Sequence, residues 1–118
     1  MTPDDSLRAR LRKLLDERIP VGGTEADTRF TDADLDELLL EADSIFEAAS
    51  AGWTMKAGMY QAEMGDVDQM TLGQETERLT SLKERQEYAL KMADKYAAMA
   101  QAQGVGSVLL KITPPEVL

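Results

Sequence analysis

Asp32, Asp34 and Asp36 alternate as the ligands of a calcium loop do, and Asp43 stands at the twelfth position of the same register. A calcium loop needs glycine at its sixth position for the sharp turn, and Glu37 stands there instead. Leu35, Leu38, Leu39 and Ala42 also impose a helical period on a stretch that would have to stay open. No metal site is expected. Glu37 and Glu41 pair one helical turn apart, as acid and base carboxylates can, but on a wet face where nothing raises a pKa. Gly22 and Gly23 suggest a phosphate cradle, yet no Lys-Ser or Lys-Thr follows them. The chain has no Cys and no His, which removes disulfides, thiol and imidazole nucleophiles and Cys/His zinc sites. Neither a catalytic residue nor a cofactor is therefore expected.

Charge is the remaining chemistry. Twenty-two acidic residues against 13 basic ones give a formal charge of -9, which opposes a phosphate backbone unless the basic groups cluster. Arg8, Arg10, Arg12, Lys13 and Arg18 do cluster in the first twenty residues, whereas residues 31–50 hold acidic side chains and no basic one. No aromatic interleaves with the arginines and Asp16 and Glu17 dilute them, so they suit an acidic protein surface, or ordinary solvation, better than nucleic acid.

The elements that position these groups are helical. Leu7, Leu11, Leu14 and Leu15 predict a short first helix ending near Ile19, before Pro20, Gly22 and Gly23. Thr31 with Asp34 forms a capping-box pattern, and Phe30 with Leu35 occupies the staple positions, so a second helix begins at Asp32. Leu35, Leu38, Leu39, Ala42, Ile45, Phe46, Ala49, Trp53, Ala57 and Tyr60 fall in one arc of about 120°, which predicts a single long helix to about Met64. Gly65 is its expected left-handed cap, and Gly52 a point of close approach by a neighbouring backbone. Residues 66–74 lose the helical period and read as a projecting loop or small hairpin, either a docking finger or a plain connection. A third helix spans about Glu77 to Gln103, with Leu79, Leu82, Gln86, Ala89, Leu90, Ala93, Tyr96, Ala97 and Ala100 in one arc that faces the second.

Two features ask for partners. Tyr88, Met92 and Met99 form a separate apolar stripe on the third helix, to be covered by the first helix or by a neighbouring subunit. After Gly104 and Gly106, Val108, Leu109, Leu110, Lys111 and Ile112 read as one short strand stopped by Pro114 and Pro115. With no strand partner in a helical chain, this segment would dock on the sheet edge of another protein, fold back, or stay disordered. The chain is thus expected to be all-α: a three-helix bundle in residues 1–104 and an extended docking tail in 105–118.

The run LRKLLDERIPVGGTEADTRFTDADLDELLLEA from Leu11 to Ala42, followed by EAASAGWTMKAGMY from Glu47 to Tyr60, resembles small helical head-to-tail connector (adaptor) proteins of tailed bacteriophages. The likeness extends to about Gln103 and leaves the last fifteen residues outside it. It implies a structural virion component in the neck, assembled in the host cytoplasm. Such a subunit joins a homo-oligomeric ring beneath the portal protein, meets other connector or stopper proteins, and lets DNA pass through the channel without specific binding. It brings no catalytic residues. The rival expectation is an acidic regulator or DNA mimic that occupies a nucleic-acid-binding protein. No apolar run reaches the length of a membrane span, so a membrane is not among the expected partners.

Overall fold

A computed structural model describes the backbone of residues 1–68 and 75–116, and the side chains of residues 1–67 and 77–103. Among the described residues four α-helices follow in order: α1 Asp5–Leu14, α2 Asp32–Glu41, α3 Ile45–Asp68 and α4 Glu75–Glu116, with a 3-10 turn at Glu25–Asp27. The molecule is elongated, 68 × 33 × 20 Å, because α3 and α4 lie along each other as a long hairpin and α1 and α2 pack onto α3.

α1 is shorter than its apolar spacing predicts. Asp16 takes a left-handed backbone (φ 57°), the Glu17 N–H reaches back to the Arg12 carbonyl at 2.8 Å, and the Asp16 N–H to Lys13 at 3.2 Å. This is a Schellman closure with Asp where glycine is usual, and it stops the helix well before Pro20.

The expected long second helix is two. The capping box at its start is present, with Thr31 Oγ1 accepting the Asp34 N–H and Asp34 Oδ2 accepting the Thr31 N–H. Phe30 and Leu35 are both fully buried as a staple pair. At Ala42, however, the backbone turns extended (φ -95°, ψ 149°). Ser44 then opens α3, its Oγ accepting the Glu47 N–H at 3.1 Å while Glu47 Oε2 accepts the Asp43 N–H at 3.3 Å. Ser44 and Glu47 make a second capping pattern inside the apolar run. Periodicity is blind to the break because Ala42 and Ile45 stay buried on both sides of it.

α3 runs through Gly65 to Asp68, so Gly65 is an interior helical residue and not the left-handed cap. Residues 66–68 of the expected loop are helical too, and residues 69–74 lie outside the described ones. Gly52 does admit a close neighbour, but it is a side chain: a Cβ there would stand 2.5 Å from Leu15 Cδ2.

The C-terminal strand is not formed. α4 continues past Gly104 and Gly106 to Glu116, carrying Val108, Leu109, Leu110, Lys111 and Ile112 on helical backbone. Extending an existing helix adds a hydrogen bond for each residue fixed, whereas a lone strand leaves its N–H and C=O groups without partners. Among the described residues there is no strand that could pair with it.

Candidate functional site

The best-built part of the molecule is the anchor that ties the segment after α1 to α2 and α3. Arg12, buried, donates through Nη1 to the Glu17 carbonyl and Thr28 Oγ1, each at 3.0 Å. Its Nη2 donates to the Phe30 carbonyl (3.1 Å) and pairs with Asp32 Oδ1 (2.9 Å). Beside it Lys56 is 3% exposed. Its Nζ lies 2.7 Å from Glu17 Oε2, donates to the Leu15 carbonyl at 2.8 Å, and sits 4.2 Å from the Trp53 ring centre. The other Glu17 oxygen accepts the Arg29 N–H at 2.8 Å. Trp53 completes the joint by donating Nε1–H to the Leu14 carbonyl at 2.9 Å.

This arrangement reassigns most of the groups that could do chemistry. Asp32 pairs with Arg12, Asp34 caps α2, and Asp36 accepts from Arg8 Nε at 2.7 Å, so all three alternating carboxylates have structural partners. The hydrogen bond that Arg8 donates to Asp36 is the main reason that the Arg8 pKa is raised, with Asp5 adding to it against partial desolvation. Arg10 lies 5.9 Å over the Phe46 ring. Arg8 and Arg12 of the basic cluster are therefore engaged by ion pairs within the chain, and Arg10, Lys13 and Arg18 are its exposed members without an ion pair among the described residues. Arg29 stacks 4.5 Å over Tyr60 and meets Glu63 at 3.1 Å. Burial works against its charge, but the hydrogen bond and the attraction of Glu63 leave its pKa raised.

A cleft of about 370 Å³ opens between this joint and α4, lined by Asp16, Trp53, Lys56, Tyr60, Ser81, Glu84, Arg85 and Tyr88. Its charges are mixed, and its Lys56 is already committed to Glu17. Of the predicted interface stripe, Tyr88 stands edge-on to Trp53 with ring centres 5.6 Å apart, yet remains 55% exposed. Met99 is 36% exposed, while Met92 is partly buried against the core. Tyr88 and Met99 thus remain exposed, Tyr88 more than Met99. The side chains of Val108, Leu109, Leu110, Lys111 and Ile112 lie outside those described.

Lys56 and Glu17 were the residues hardest to foresee. Lys56 lies inside the apolar arc between Trp53 and Tyr60, which was the available signal; Glu17 sits in an irregular loop and gives none. Comparison with known proteins finds no match among family models, characterised proteins or solved structures. Among the described residues no helix is long and apolar enough to cross a membrane.

Proposed function

We propose that this chain is a structural subunit of a phage head-to-tail connector, forming a ring beneath the portal and joining capsid to tail. The observation that carries the reading is the α3–α4 hairpin, braced at one side by a buried ionic joint and leaving Tyr88 and Met99 exposed along α4. Exposed apolar side chains on a rigid helix suit contact with a neighbouring subunit. The resemblance over residues 11–103 supports the same reading. Glu37, Glu41 and Asp43, exposed around the end of α2, would repel the DNA backbone in a channel and so let it slide. The role is one of assembly, and the portal contact falls to the C-terminal part of α4 around Val108–Ile112, now as a helix and not as an added strand.

Electron microscopy of the full chain mixed with portal assemblies from the same source tests this. An added ring supports it. Portals that stay bare, together with a stable complex between the chain and a nucleic-acid-binding protein, would favour the acidic regulator instead.

A further inference from the structure

The seam between α1 and α4 has an apolar floor and a cationic rim. Tyr88, Met92, Lys95 and Met99 recur along α4 at spacings of four, three and four residues, so they form one line down its side. Arg10 of α1 lies 5.9 Å from the centre of the Phe46 ring, Phe46 stacks on Tyr96 at 6.1 Å, and Lys95 Nζ lies 5.6 Å from the centre of the Tyr96 ring. Two cations thus flank one stacked aromatic pair. Lys13 follows Arg10 by one turn of α1, and Lys91 lies one turn from both Tyr88 and Lys95. Arg10, Lys13, Lys91 and Lys95 are all exposed and make no ion pair among the described residues. Glu87 and Asp94 are turned about 100° or more around the helix from the middle of the line. The cleft beyond Tyr88 adds Asp16 and Glu84, but Arg85 with them. In a chain of net charge -9 this seam keeps a local excess of positive charge.

α2 presents the opposite. Glu37, Leu40 and Glu41 share its outer face, Leu40 is 64% exposed, and Asp43 follows just beyond the helix. Residues 31–50 hold no basic side chain, and the cations that reach α2 from elsewhere are committed. Arg8 pairs with Asp36 and Asp5, Arg12 with Asp32, and the Met1 ammonium donates to the Leu39 and Ala42 carbonyls. Glu37, Glu41 and Asp43 make no ion pair among the described residues. A single exposed leucine is ordinary, but one set among free carboxylates complements an apolar line set among free cations. The lengths agree as well: the ten residues of α2 span about 15 Å, and the line from Tyr88 to Met99 about 16 Å.

Within one chain neither patch covers the other, since Leu40 and Tyr88 both stay more than half exposed. We infer that the outer face of α2 in one copy lies along the α1–α4 seam of the next, with Leu40 against Tyr88, Met92 and Met99, and Glu37 and Glu41 against Lys91 and Lys95. Two different patches make the contact heterologous, so it closes into a ring or runs on as a filament. It deepens the ring reading above by naming the surface that meets Tyr88 and Met99, and rests on that reading only for closure. In such a ring Glu37 and Glu41 face the neighbouring subunit, which leaves other carboxylates to line the channel.

Charge exchange on the full chain tests the contact, with no portal present. One variant carries Glu37→Lys with Glu41→Lys, the other Lys91→Glu with Lys95→Glu; all four side chains are exposed and outside any ion pair among the described residues, so both variants should keep the native circular dichroism. Alone, each sets like charges together across the contact and should self-associate at least about tenfold more weakly than wild type in sedimentation. Mixed, each supplies what the other lacks: the new lysines meet the new glutamates, the two native patches meet in return, and association recovers to the wild-type strength. Leu40→Ser, which changes no charge, should also weaken association while the fold is kept. A wild-type chain that stays monomeric at high concentration, a single variant that associates as tightly as wild type, or a mixture no stronger than its parts would each overturn the inference. Assembly that forms through this contact but ignores portals would instead count against the connector reading alone.

Discussion

Lys56 is the side chain that most constrains the joint between α1 and α3. Burying an ammonium costs several kcal/mol unless a partner and further hydrogen bonds compensate it, and Glu17, the Leu15 carbonyl and the Trp53 ring supply these together. Lys56→Met fits the apolar surroundings but leaves the Glu17 carboxylate, itself only 11% exposed, without its cation. A loss of about 3 kcal/mol is expected, read from the urea midpoint, and Glu17→Gln in the same background should recover part of it by removing the orphaned charge. Trp53 is the second such residue. It is 3% exposed and holds the Leu14 carbonyl, so Trp53→Ala removes a large packed ring and a hydrogen bond and should cost about 3 to 5 kcal/mol. An unchanged midpoint would contradict its burial. The burial of Trp53 could be read from the sequence because it falls at the centre of an apolar arc. The pairing of Lys56 with Glu17 could not, because it joins a helix to an irregular segment that carries no period.

At the scale of elements, the start of α2 was legible; the start of α3 and the stops were not. Thr31 with Asp34, and Phe30 with Leu35, announce α2 through hydrogen bonds and contacts closed within a few residues. The ends depend on what lies elsewhere. Asp16 can take a left-handed backbone because Glu17 after it is held by Arg12 and Lys56. Ala42 can leave the helix because Ser44 begins another on the same buried face. Glycine misleads for the same reason: Gly65, Gly104 and Gly106 invite a stop, yet the helices pass through all three. Gly65 gives a direct check. A Cβ there would meet nothing within 4 Å, so Gly65→Ala should stabilise the chain by about 0.5 to 1 kcal/mol through helix propensity. A left-handed cap would respond with the opposite sign, since alanine is strained at positive φ. Ser44→Ala probes the break before α3. Losing the cap on Glu47 N–H should lower stability by about 1 kcal/mol, again read from the denaturant midpoint.

For the whole molecule, the decisive property is where the core ends along the long axis. Among the described residues every buried side chain of α4 lies at or before Tyr96, with Leu82, Ala89 and Ala93 preceding it on the same face. α4 nevertheless runs on to Glu116, about five turns beyond the last of these contacts. Under the connector reading the far end of α4 serves contact with another protein more than the folded domain, since a helical extension gains little stability in water from its own hydrogen bonds. The apolar run Val108–Ile112 suggests a docking element, but its conformation could not be read: five apolar or long side chains between glycines and prolines satisfy a strand pattern and a helix turn alike. A chain ending at Gln103 should therefore keep its thermal midpoint within a few degrees, while its helical circular dichroism falls only by the share of the missing turns. Under the connector reading it should fail to join portal assemblies in a pull-down. Retention of portal binding would move that contact off the end of α4 and onto the hairpin, with Tyr88 and Met99 as the next residues to substitute.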